Sequence, residues 1–431
     1  MADPPKKAWK QSTVLSDLPE ELLAEILSRF RVRTLRKLRL VCKQWYNLLS
    51  NLEIFWTLHH EKSQKNPVLV YLSQKHEKEG TGCVTSCKIC GIDGNGVVTF
   101  DHSLPSLVHG RDDRREIYEI VPSFSLQCRD FIWLSSPDMF YIYNPNIPKL
   151  IDLPEVTPNI DNSNWMAGGV GFDPTRNEYI IVHLIFGLPD SSTDGCQLPI
   201  AGCEILSFCS TNVSTKNSSK KGRWRKIAQK CCPFKIDEVI NQWGTFVDGV
   251  FYWTIFVRKN EENILSLGLN KEKFEIIPPP PAEGFYTVDG DLVSVVELKG
   301  HLCLVDPAAE PSAVEIWMLR KESEEKITEA SWTKEYSISL PGFDIEKEWL
   351  HPLGDRDGDG GLIVYTTSRI EDEDSELPLE YVPQCSVLYY NKQNNTFGRL
   401  EEDTNLKLAA LSIIRWRLCL YTDNFYVFGG S

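Results

Sequence analysis

Several things are missing from this 431-residue chain. No stretch approaches the ~18 apolar residues of a membrane-spanning helix, and YIIVHLIFGL (Tyr179 to Leu188) is far too short. The opening MADPPKKAWKQ has lysines but no apolar stretch behind them, which is not the pattern of a secretory leader. Walker A, Gly-x-Ser-x-Gly and His-Glu-x-x-His motifs are absent, and no nucleophile–base pairing can be read from the residues. We therefore expect no catalytic residues and no cofactor. The thirteen cysteines are odd in number and scattered, which suits a reducing interior better than a disulfide framework. The expected location is cytoplasmic or nuclear, so Asn212, Asn217 and Asn394 would carry no glycans.

Two metal-like clusters are incomplete. CVTSCKIC holds Cys83, Cys87 and Cys90, weak zinc candidates with His76 or His102 as a fourth ligand, but no second Cys-x-x-Cys answers them. DRDGDGG places Asp355, Asp357, Asp359 and Gly360 at the first four signature positions of an EF-hand loop. Its twelfth position is Thr366 instead of Glu, and LIVYT reads as a strand. Free cysteines and a solvated hairpin turn are the expected readings, with no metal bound.

Charge is unevenly spread. The net charge is -14, yet residues 1–65 carry twelve Lys/Arg against seven Asp/Glu, leaving -19 on the remainder. Such an acidic body argues against nucleic-acid binding by the whole chain. Hydrophobic and charged fractions of 42% and 25% are ordinary for globular protein, so most of the chain should fold.

In the basic head, LSDLPEELLAEILSRF starts with Asp17, Pro19, Glu20 and Glu21, which suit a helix N-terminus. Leu18, Leu22, Leu23, Ile26, Leu27 and Phe30 then recur at three- and four-residue steps. RTLRKLRLVCKQWYNLL (Arg33 to Leu49) reads as a second, turn-free helix with five basic side chains and an apolar stripe. About 45 residues cannot bury two such wide stripes within themselves, which marks a partner surface. Its basic residues leave a phosphate-binding reading open, and a membrane reading is weaker still.

The order Leu-Pro, Leu-x-x-Ile-Leu, Val-Cys-Lys-x-Trp across this head resembles the F-box. The resemblance implies a three-helix unit that docks on the Skp-type linker of a cullin-RING ubiquitin ligase. Matched by position, its contacts would be Leu15, Leu18, Pro19, Leu22, Ile26, Leu27, Leu35, Leu38, Val41, Cys42 and Trp45. About half of these could instead form the head's own core.

Beyond residue 67 the texture becomes short apolar runs split by Asn, Asp and Gly turns. One hairpin pattern recurs at 140–154, 204–228, 264–278, 314–338 and 386–400. A second recurs in DGVFYW and KGHLCL, whose glycines lie 51 residues apart. This period suits kelch-like propeller blades, about six of them. The expected fold class is α+β multidomain, a small three-helix head before an all-β, kelch-like β-propeller. The expected divisions are a disordered 1–13, the head at 14–61, a linker and first irregular propeller segment at 62–125, and the propeller domain at 126–431.

YNPNIPKLIDLP, GVGFDPTRNEYIIV, GRWRKI, WGTFVDGVFYW, LKGHLCLV and VEIWMLR…SWTKEYSI also resemble, in order, the plant F-box-associated domain. CRDFIW stands where that family has a Gly-Leu pair. The resemblance implies a non-catalytic substrate-recognition subunit of an SCF-type ligase. The head would bind the Skp-type linker and, through it, cullin and RING subunits; the body would capture a protein target. No nucleic-acid or membrane partner is expected. Alternatives are a small-molecule- or glycan-binding propeller, and a non-ligase scaffold using the head for assembly alone.

Overall fold

The computed structural model describes residues 18–421 apart from connecting stretches such as 105–120, 188–199, 210–221, 282–293, 321–330, 372–380 and 400–417. For some strand residues, 71–79 and 82–87 among them, it describes the backbone alone. The head forms α1 (Glu20–Leu27), α2 (Val32–Leu38) and α3 (Lys43–Asn51). Glu20 and Glu21 occupy the first turn of α1 directly after the extended Pro19. The expected turn-free helix is in fact two. The chain tightens through 39–42, where Leu40 N–H bonds Lys37 O and Val41 N–H bonds Leu38 O, at 3.1 and 3.0 Å. One straight helix could bury only one side. The break folds Trp45, Leu48 and Leu49 back onto Leu23, Leu27, Val32 and Leu35, and the small core closes.

The rest is strand. Blade 1 contains β1 (Val68–Glu79), β2 (Gly82–Ile92) and β3 (Val98–Leu104). Blade 2 contains β4 (Val121–Pro122), β5 (Ile132–Ser136), β6 (Met139–Asn144) and β7 (Lys149–Asp152). Blade 3 contains β8 (Ala167–Asp173), β9 (Glu178–Phe186), β10 (Ile200–Cys209) and β11 (Arg225–Lys226). In blade 4, β12 (Glu238–Val239) and β13 (Trp243–Val247) share the inner edge of β14 (Val250–Arg258), followed by β15 (Glu261–Gly268) and β16 (Lys273–Ile277).

Blade 5 contains β17 (Ser294–Leu298), β18 (His301–Glu310), β19 (Ala313–Leu319) and β20 (Trp332–Ser339). Blade 6 contains β21 (Glu348–Asp355), β22 (Leu362–Glu371), β23 (Tyr381–Asn391) and β24 (Thr396–Arg399). The last strand, β25 (Leu418–Tyr421), returns to pair with β1 and gives blade 1 its fourth strand. Among the described residues the propeller thus has six blades. Residues 68–104, expected to hold an irregular first propeller segment, form regular strands of blade 1. Their missing partner comes from the far end of the chain, so the local pattern is incomplete.

Both repeats acquire a structural meaning. The five recurring hairpins are the third-to-fourth-strand hairpins of blades 2–6. DGVFYW and KGHLCL are the first turns of blades 4 and 5. There Asp248–Gly249 and Lys299–Gly300 all have positive φ, the two-residue turn that matches strand twist. Each neighbouring pair of blades from 1/2 to 5/6 encloses its own apolar cluster. Blades 3 and 4 are joined further by parallel pairing of β8 with β13. This close approach needs glycine, because a Cβ on Gly169 would lie 2.6 Å from the Phe251 ring of β14 and 3.3 Å from the Gly244 carbonyl oxygen of β13.

Tryptophans tie successive blades. Trp224 Nε1 donates to the Pro154 carbonyl (2.9 Å), and Trp332 Nε1 to that of Pro278 (3.0 Å), each proline following the previous blade's outer strand. Beside Trp224, buried His183 and Glu204 meet at 3.1 Å across β9 and β10. Glu204 also accepts bonds from Thr157 N–H and Oγ1, both at 2.8 Å, which fastens the crossover between blades 2 and 3. Burial alone would raise the Glu204 carboxyl, but the bonds from His183 and Thr157 outweigh it and hold it below the usual range.

A carboxylate held low in the folded state contributes stability above its unfolded pKa and loses it as pH falls through the folded value. Glu204→Gln should therefore cost about 1–3 kcal/mol at pH 7. In urea titrations across pH, the gap between wild type and variant should shrink below the ordinary carboxylate range. A gap that stays constant into acid would rule out the charge as its cause.

Candidate partner-docking surface

Six of the seven large apolar side chains exposed among the described residues lie between Leu22 and Tyr46. They are Leu22, Ile26, Phe30, Leu40, Val41 and Tyr46, with Val41 62% and Leu40 83% exposed. Leu22 and Ile26 stand one turn apart on α1, while Leu40 and Val41 occupy the break between α2 and α3. Cys42 is also exposed, and its Sγ accepts the Trp45 N–H at 3.5 Å, satisfying one of the orphan donors at the start of α3. An apolar surface of this kind on a small folded unit marks a partner site.

The eleven contact residues expected from sequence divide accordingly. Pro19, Leu22, Ile26, Val41 and Cys42 are exposed, while Leu18 and Leu38 are half-buried. Leu27, Leu35 and Trp45 belong to the head's own core and are closed to a rigid partner. Leu15 lies outside the described residues. Phe30, Leu40 and Tyr46 join the surface without having been singled out as contacts. Leu40 lies off the helical stripe, so periodicity reads it as a solvent position; only the break at 39–42 explains its place.

The basic side chains are largely engaged within the molecule. Arg29 pairs with Glu25 at 3.0 Å, and Arg39 lies over the Tyr46 ring with its guanidinium carbon 4.7 Å from the centroid. Arg31 pairs with Asp93 at 3.2 Å, and Arg36 donates to the Asn146 carbonyl at 3.0 Å. Lys62 reaches back to Glu25 at 2.5 Å and to Ser28 Oγ at 2.9 Å. Bonds from Lys62 and Arg29 hold the Glu25 carboxyl below its ordinary value. These pairings weaken the phosphate-binding reading. His59 is buried, with Nε2 donating to the Phe30 carbonyl at 3.0 Å and its ring stacked near Phe55.

The metal candidates do not assemble. Cys83, Cys87 and Cys90 all fall in β2, in unbroken register with β1. At ~3.3 Å per residue an extended strand sets the first and last about 23 Å apart, which bonds of ~2.3 Å to one zinc cannot gather. Cys90 is buried with its Sγ 3.5 Å from Asp101, and His102 Nδ1 faces the Tyr143 hydroxyl. The calcium-like run spans the β21–β22 hairpin, Thr366 lies within β22, and strands stand where an EF-hand has helices. Residues 356–360 of that run lie outside the described residues.

Comparison with known families agrees with this geometry. Residues 15–57 match the F-box domain, and residues 64–408 match the F-box associated beta propeller domain. Among curated relatives, the F-box protein At3g07870 of Arabidopsis thaliana is 23% identical over 87% of this chain and 85% of its own length. The F-box/LRR-repeat protein At2g43260 of the same plant is 25% identical over 78% of this chain and 72% of its own. F-box protein CPR1, also from Arabidopsis thaliana, is 21% identical over 79% and 77% respectively.

The division between core and surface is testable by urea unfolding of the head. Leu27→Ala should cost about 2–5 kcal/mol through the cavity it leaves. Leu22→Asp and Val41→Asp should stay within about 0.5 kcal/mol of wild type. Equal destabilisation by all three would show that the exposed set is structural.

Proposed function

The chain belongs to the F-box proteins that carry an F-box-associated β-propeller domain, and from this we propose that it is a substrate-recognition subunit of an SCF-type ubiquitin ligase. In this reading the head docks on a Skp-type linker protein, and through it on cullin and RING subunits. The propeller holds a protein target. What carries the reading is the exposure of Leu22, Ile26, Leu40 and Val41 on a head whose core is already closed without them.

The mechanism is proximity. Holding a target lysine beside a ubiquitin thioester replaces a bimolecular encounter with a local one, and the receptor supplies no reacting group. We place this work in the cytoplasm or nucleus.

Val41→Asp puts a charge into an apolar contact, where desolvation costs several kcal/mol. Co-purification of the Skp-type linker with full-length protein should fall at least tenfold for Val41→Asp and for Leu22→Asp, with the fold intact. With the proteasome active, proteins captured by the propeller should accumulate in cells expressing these variants. Undiminished linker capture by both would overturn the assignment, whereas lost capture without accumulation of any bound protein would favour a scaffold that ubiquitinates nothing.

A further inference from the structure

The head does not simply precede the propeller; it touches two of its blades. Arg31, at the N-terminus of α2, reaches Asp93 just beyond β2 at 3.2 Å. Arg36, one turn later, donates to the Asn146 carbonyl between β6 and β7 at 3.0 Å. Both acceptors lie in connections between the third and fourth strands of their blades, and such connections share one face of a propeller. Asn146 is itself held, because its N–H donates to Asn144 Oδ1 at 2.8 Å. Arg36 therefore meets a carbonyl in a shaped turn.

The ground between the two contacts is also ordered. His102 of β3 stacks near Phe100 at 5.6 Å, and its Nδ1 hydrogen-bonds with the Tyr143 hydroxyl of β6 at 2.5 Å, bridging blades 1 and 2. Burial and the nearby Arg33 guanidinium keep His102 below its usual pKa, so it adds no like charge against the arginines at neutral pH. The basic head thus meets the body through Arg31 and Arg36, at the start of and along one helix, with His102 beside them.

We propose that Arg31 and Arg36 are positioning residues that clamp the head to the strand-turn face of blades 1 and 2, so that the linker-docking surface is presented in one orientation to the ring. The proposal rests on the ligase reading for its consequence, a fixed path from captured target to ubiquitin-charged enzyme, but its geometry is independent of that reading. Leu22, Ile26, Leu40 and Val41 remain exposed while the clamp is closed, so linker binding and clamping coexist.

The test uses full-length protein bound to a Skp-type linker, with wild type, Arg31→Glu with Arg36→Glu, and the charge swap Arg31→Glu with Asp93→Arg. Hydrogen–deuterium exchange is followed across residues 88–102 and 140–152, with small-angle scattering of the complex. The double glutamate variant should retain the linker, speed exchange in both segments about fivefold, and enlarge the radius of gyration; roughly 1 kcal/mol of lost pairing gives that factor. The charge swap should return residues 88–102 to wild-type exchange, which general destabilisation would not do. Unchanged exchange and scattering in the double glutamate variant overturn the clamp, as does a swap that restores nothing. Lost linker binding in that variant alone places the arginines in the docking surface and also overturns it. Absence of linker binding by wild type refutes the ligase reading instead and leaves the clamp to be judged on the unbound chain by the same exchange.

Discussion

The structure depends most on a pairing four residues long. Val68 to Tyr71 of the first propeller strand receive Leu418 to Tyr421 of the last. Without that pairing, blade 1 is a three-stranded sheet with an open edge, and the ring has two free ends. The five apolar clusters between blades 1 and 6 are each local, built from neighbours in sequence. Closure alone joins residues some 350 apart, and it completes the blade that offers Asp93 to the head. The ends of the propeller and the orientation of the head are in this sense one problem.

The head shows how a very small unit can fold and still leave apolar surface uncovered. Eight buried side chains make its core, and the break at 39–42 brings them together. The same break turns Leu40 and Val41 outward, so folding creates the exposed apolar surface instead of competing with it. Outside the apolar seam, charge is paired locally: Arg29 and Lys62 to Glu25, Arg39 on Tyr46, Arg31 and Arg36 to the ring.

Much of this was legible in the residues. Leu18-Pro19 and Val41-Cys42-Lys43-x-Trp45 identified the head, and the hairpin repeat with DGVFYW and KGHLCL identified the blades, because each depends on local chemistry. Positive-φ turns favour Gly, Asn and Asp at fixed places, and half-buried strands favour alternating apolar residues. The features that escaped depend on distant partners. Residues 68–104 looked irregular because their neighbouring strand lies at 418–421. Leu27, Leu35 and Trp45 looked like contacts because periodicity marks an apolar face without saying what covers it. The partners of Arg31 and Arg36 could not be read locally because Asp93 and Asn146 are 62 and 110 residues away.

The central claim is that the head, and not the ring, meets the Skp-type linker through its exposed seam. Site-specific photo-crosslinking tests it most directly. A benzophenone side chain is placed in turn at Leu40, in the head, and at Gln393, in an exposed turn of blade 6. Irradiation with the linker present should join it covalently to the chain from Leu40 and not from Gln393. Crosslinking from Gln393 alone, or from neither position while the linker co-purifies, would contradict the assignment of the docking surface.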